Sequence, residues 1–152
     1  VTGRRRVRLA RRKAPYRIFE HAADVGAAAR GRTLGRLFES ATIALLDLGG
    51  GRAAIAPRRR VAVRVSGASL EDLLVRWLNE ILYQQEVRGW RFQACVVTSV
   101  DRRRLEARGA ALGEPFDPTR HPRLREVKAV TYHQMRIARA RGLWRVRLIF
   151  DV

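Results

Sequence analysis

The chain is predicted to be an α+β protein, a single compact domain in which two amphipathic helices pack on a largely antiparallel sheet. Three observations lead there. Two segments carry apolar residues at three- and four-residue steps, and most other apolar residues alternate with polar ones. No apolar run approaches the ~18 residues that would span a bilayer. A chain of 152 residues, 47% of them hydrophobic, can bury roughly two-thirds of the surface its unfolded form exposes, enough for one core.

In chain order, residues 16–20 and 25–30 read as two short extended segments flanking Asp24. A helix follows over 33–48, where Leu34, Leu37, Phe38, Ala41, Leu45 and Leu48 fall on one face. Thr33 stands where an N-cap belongs, and Gly49-Gly50-Gly51 ends the run. Val61, Val63 and Val65 then alternate with Arg60, Ala62 and Arg64, the period of a half-buried strand. The second helix, over 69–86, has the sharper stripe: Leu70, Leu73, Leu74, Trp77, Leu78, Ile81 and Leu82. Ser69 with Asp72 three residues on forms a capping arrangement, and Gly89 closes the segment.

Phe92–Val97 and Arg103–Ala107 are separated by a polar turn and predict a hairpin. Gly113 to Pro122 is expected to be a loop, because three prolines there oppose a regular element. Glu126–Tyr132 reads as a strand. In the last strand, Trp144, Val146, Leu148 and Phe150 share one face, with Leu143, Arg145, Arg147, Ile149 and Asp151 on the other. Neither helix can bury its stripe alone, so both should lie against a sheet.

Charge divides the chain unevenly. Of the net +18, seven charges lie in residues 1–13, which contain no acid. Residues 1–15 are therefore read as a basic, disordered extension and 16–152 as the folded domain. Such an arm should attract polyanions, RNA included, with strong salt dependence and no sequence selectivity. Thirty of the 32 basic residues are Arg, so a genome-wide bias explains the charge equally well. Against that background Lys128 stands out as the only lysine after residue 13. A lysine is a compact point charge rather than a rigid fork. The single cysteine, Cys95, cannot form an intrachain disulfide, and no signal-type apolar segment is expected. A reducing, cytoplasmic setting without membrane attachment is the resulting expectation.

No phosphate-cradling glycine motif, nucleophile elbow or zinc-ligand spacing occurs, and His21, His121 and His133 are far apart in sequence. This argues against a self-sufficient enzyme. What remains is acidic. Asp24 lies in a short segment before Gly26, and Asp151 ends the last apolar strand. If Val152 is the true C-terminus, its carboxylate follows one residue later. These three groups would make an all-oxygen set suited to a hard divalent cation, Ca²⁺ or Mg²⁺. The alternative is that Asp24 caps a turn and Asp151 pairs with a neighbouring Arg.

Six motifs, in consistent order, give the chain a family resemblance. They are His21-Ala22-Ala23-Asp24-Val25-Gly26, Leu37-Phe38-Glu39, Leu73-Leu74-Val75-Arg76-Trp77-Leu78-Asn79-Glu80, Gly113-Glu114-Pro115-Phe116-Asp117-Pro118, Val127-Lys128-Ala129-Val130-Thr131-Tyr132-His133 and Ile149-Phe150-Asp151-Val152. Over residues 16–152 the chain resembles the archease family, with Ala22 where that family usually shows Thr. The resemblance implies an accessory protein of the RNA-splicing ligase that joins RNA 2′,3′-cyclic phosphate or 3′-phosphate ends to 5′-hydroxyl ends, notably in tRNA splicing. It implies promotion of guanylylation of the ligase histidine and support of multiple turnovers, without ligase activity of its own. It further implies a compact α/β domain with metal ligands at Asp24, Asp151 and Val152, and a functional surface that includes His21, Lys128 and His133. Two other classes compete. A basic RNA-binding or chaperone module would explain the charge but not the acidic ends. A metal-dependent phosphoesterase would explain the acids but needs a nucleophile or second metal that is not evident.

Overall fold

Ten of the sixteen residues of the first helix are buried, too many for a helix lying on one surface. The computed structural model describes residues 15–21, 24–132 and 134–152, with Glu20 and His21 described by backbone only. In order, its elements are β1 (Tyr16–His21), β2 (Asp24–Gly31), α1 (Leu34–Gly49), a 3-10 turn (Arg52–Ala54), β3 (Arg59–Ser66), α2 (Leu70–Glu86), β4 (Trp90–Asp101), β5 (Glu106–Pro115), β6 (Ala129–Thr131), β7 (Ala138–Ala140) and β8 (Leu143–Asp151). The two helices and the antiparallel pairing are as expected, but the strands divide between two sheets. One sheet runs β1-β2-β8-β6 with β7 also on β8, and the other runs β3-β5-β4. Helix α1 touches β2 of the first sheet and β4 of the second, while α2 touches β3 and β6. Both helices thus bridge the sheets, which explains the wide burial of α1.

Local chemistry sets the helix ends. Thr33 accepts from the Arg36 amide through its side chain, and Ser69 accepts from the Asp72 amide. Gly50, at φ +82°, turns the chain out of α1 where a side chain would be strained. The helices meet at Trp77, fully buried, whose indole N–H donates to Thr42 Oγ1 at 2.9 Å. The Thr42 hydroxyl donates in turn to the Phe38 carbonyl at 2.7 Å. Burying a Trp this way satisfies its one polar atom.

Several extents differ from the sequence reading: β4 outruns the expected 92–97 at both ends, and residues 103–105, expected in the next strand, belong to the turn before β5. Strand β5 runs through Gly113 and Glu114 to Pro115, because pairing with β4 reaches Trp90 opposite Pro115, and β3 ends opposite Gly113, so the missing proline N–H breaks no bond to it. The expected 126–132 strand contracts to β6, although the Lys128 amide still donates to the Asp151 carbonyl at 2.8 Å. Among the described residues no helix is long and apolar enough to cross a membrane.

Candidate functional site

The acidic ends of the chain meet through one strand pair. β2 and β8 pair antiparallel with Val25 opposite Phe150 and Gly26 opposite Ile149. Asp24 and Asp151 are the next residues beyond that last pair, one on each strand, and would oppose each other if the register ran one step further. Directly opposed residues project to the same face, with Cβ atoms about 4.5–5.5 Å apart. That face is the outer one. Val146, Leu148 and Phe150 alternate inward and are buried, while Arg145, Arg147 and Asp151 are exposed. Asp24 is half-buried, and Val152 packs its side chain back against the core.

The third strand closes the site from the other side. Ala129 of β6 pairs with Asp151, and the Lys128 amide bond follows it, so Lys128 begins the segment beside the Asp151 backbone. Helix α2 holds that segment through polar side chains. Asn79 Oδ1 accepts from the Val130 amide at 3.4 Å, and Glu71 Oε1 accepts from the Ile137 amide at 2.9 Å. Tyr132 donates its hydroxyl to Asp72, which also accepts from Arg76 Nε at 2.9 Å. These bonds, the Tyr132 one first, hold the Asp72 carboxyl down at about 2. Sequence reading missed this clamp. Its residues, Glu71, Asp72 and Asn79, sit among the other polar residues of an amphipathic helix and carried no signal that set them apart from a solvated face.

Residue by residue, Asp24 and Asp151 each stand one position beyond the Val25–Phe150 pair, the Lys128 amide bonds the Asp151 carbonyl, and His21 of β1 stands opposite Asp24 in the backbone pairing. His133, Ala22 and residues 1–14 lie outside the described residues. Neither Asp24, Asp151 nor Lys128 takes part in an ion pair among the described residues, so the Asp151–Arg pairing is not formed there. Nor do the described side chains contain a cluster of three or more His, Cys, Asp or Glu that could hold a metal. The candidate donors are the side-chain carboxylates of Asp24 and Asp151, to which a terminal carboxylate at Val152 would add a third. Its chemistry suits a hard, oxygen-preferring cation and offers no sulfur or nitrogen for a softer one.

Two further features bear on chemistry. Cys95 is buried among apolar neighbours, which pushes its thiol up to about 12 and removes it as a nucleophile. The motif at the end of β5 carries a buried lock. His121 Nε2 donates to Glu114 Oε1 at 2.6 Å, and His121 Nδ1 accepts the Asp117 amide at 2.8 Å. With Arg120 also on Glu114 at 3.1 Å, the His121 and Arg120 bonds hold the Glu114 carboxyl down at about 2. This fixes the loop beyond Pro115 and leaves His121 without a catalytic geometry.

A two-helix layer bridging antiparallel sheets, with paired acids at joined strand ends, defines the class. Residues 16–152 match the model of the archease protein family (MTH1598/TM1083). The chain belongs to that family. It is 37% identical over 139 residues to the archease of Methanopyrus kandleri, covering 91% of this chain and 99% of that one. To the archease of Sulfurisphaera tokodaii it is 34% identical over 137 residues, covering 90% and 98%. The solution structure of Methanobacterium thermoautotrophicum protein 1598 superposes with a TM-score of 0.76 at 27% identity, over 91% of this chain and 99% of that one. The crystal structure of a Thermotoga maritima archease, described as a possible chaperone, gives 0.61 at 20% identity over 88% and 94%, a likeness of fold.

Proposed function

We propose that this archease-family protein is an accessory factor, not an enzyme, that activates an RNA-splicing ligase in tRNA splicing and RNA repair. In this reading it promotes guanylylation of the ligase histidine and supports multiple turnover. What supports the reading is that Asp24 and Asp151 adjoin the last pair of β2 and β8, neither carboxylate neutralised by an ion pair among the described residues. Two opposed anions on one outer face raise each other's energy unless a cation joins them. Asp24, Asp151 and a Val152 carboxylate would hold Ca²⁺ or Mg²⁺. Bound there, the ion supplies positive charge against phosphate oxygens.

The protein's own residues then serve as a presenting surface. Lys128, exposed and tied to Asp151 through its backbone, adds a mobile cation beside the acids. The α2 clamp on Tyr132 and Ile137 holds the segment that carries it. His21 and His133 complete the proposed surface. The description of the Thermotoga maritima relative as a possible chaperone agrees with an assisting role. The deciding experiment is a guanylylation assay of the cognate ligase with and without this protein. Stimulation of guanylylation and of turnover number is expected, and unchanged guanylylation at saturating protein would reject the proposal.

A further inference from the structure

The same outer face that carries the acid pair changes character further along its strands. Each step of two residues advances one row, about 6.8 Å. Next to the acids, Phe19 of β1 lies over Gly26, where any Cβ would meet its ring at 2.1 Å. The rows beyond are basic. Arg17, Ala28 and Arg147 stand side by side on β1, β2 and β8, and Arg30 stands directly opposite Arg145, whose other neighbour is Ala138. With Arg136 these residues line a trough of about 740 Å³ floored by alanine, and no acidic side chain lines it among the described residues.

Five arginines here face one another without counterions. None forms an ion pair among the described residues. Like charges directly opposite in a sheet are destabilising, so the Arg30–Arg145 pair opposes folding unless an anion lies between them. Arg147 is placed with its guanidinium 4.5 Å from the Phe19 ring centroid, which orients the fork. The basic segment 1–13 joins the chain beside Pro15, which itself lines the trough.

We propose that this trough binds the sugar–phosphate backbone of a single-stranded nucleic acid. Planar guanidinium forks match phosphate oxygens in pairs. Rows repeating at regular intervals suit an anion that also repeats at regular intervals, which scattered carboxylates of an acidic protein do not. The alanine floor lets the strand approach closely, and contact through phosphates rather than base edges makes binding indifferent to sequence. The inference needs neither the ligase nor a metal ion, and its failure would leave the proposed activation untouched.

The test uses the full chain and a short fluorescein-labelled oligouridylate, with anisotropy titrations from 50 to 200 mM salt. Each phosphate contact on a single strand adds about −0.7 to the slope of log K against log salt, so five contribute about −3.5. Arg30→Gln with Arg145→Gln should lower the slope magnitude by about 1.4 and weaken binding roughly tenfold or more at low salt. Its melting temperature should not fall, since a repelling pair is removed. Arg17→Gln with Arg147→Gln should behave alike in binding and serves as the second variant. Arg60→Gln with Arg88→Gln removes the same charge from exposed positions elsewhere and should change the slope little. Equal loss in trough and control variants, an unchanged slope in both trough variants, or displacement of the RNA by polyglutamate at matched charge would each overturn the proposal.

Discussion

Replacing Asp24 by Asn isolates the acid pair, because it removes one charge and keeps nearly the same shape. If the two carboxylates oppose each other at the roughly 5 Å spacing of facing sheet residues, their repulsion is about 0.8 kcal/mol in a water-like medium and about 3 kcal/mol at a surface-protein dielectric near 20. Asp151 is exposed and Asp24 half-buried, so the lower part of that range applies, roughly 1 kcal/mol. Without divalent cation, Asp24→Asn should therefore be more stable than wild type, by about 2–4 °C in a domain of this size. With Ca²⁺ or Mg²⁺ the order should reverse. At a concentration of 100 Kd a cation bound only by the folded state adds about 2.7 kcal/mol to the wild type, roughly 5–10 °C. The variant, short of a ligand, should gain much less. Thermal melts with chelator and over a cation titration, backed by calorimetric binding, measure both halves. A variant that melts lower than wild type in chelator, or that gains as much from the cation, would refute the reasoning that these two carboxylates repel each other and share an ion.

Four other outcomes follow from the geometry. If the chain ends at Val152, extending it with a tag turns that carboxylate into an amide carbonyl, and ligase guanylylation should fall although every side chain is retained; equal stimulation by tagged and untagged protein would make that carboxylate dispensable. Trp77→Phe removes the bond to Thr42 and opens a small void between the helices, so urea denaturation should show a loss of about 2 kcal/mol with an unchanged m-value. Glu114 is held below its unfolded pKa by His121 and Arg120, so its contribution is present above about pH 4.3 and is lost as pH falls towards 2. Glu114→Gln should therefore be less stable than wild type at pH 7, with the gap in melting temperature closing over that window. Cys95, buried with its thiol raised to about 12, should react with a thiol reagent only at the rate of global unfolding, and fast labelling of native protein would contradict its placement.

Local signals were legible and survive in the fold. The two apolar stripes, the Thr33 and Ser69 caps and the alternation of Val146, Leu148 and Phe150 each depend on neighbours within a few residues, so the linear pattern contains what determines them. Asp24 and Asp151 drew notice by their isolation in a basic chain, and the six motifs pointed to the family that the comparison then matched over 16–152. Other features depended on partners far away in sequence. That α1 would be buried on most sides could not be read from its stripe, because a second sheet also packs on it. The Glu114–His121 lock hid inside a stretch that proline content marked as a loop. Most of all, the pairing of β2 with β8 joins residues more than a hundred positions apart, and it alone sets Arg30 against Arg145 and puts Asp24 and Asp151 at adjoining strand ends. Period-two alternation assigns a residue to a face but names no partner strand. Which charges share a row is decided by register, and register is set by how the whole core packs.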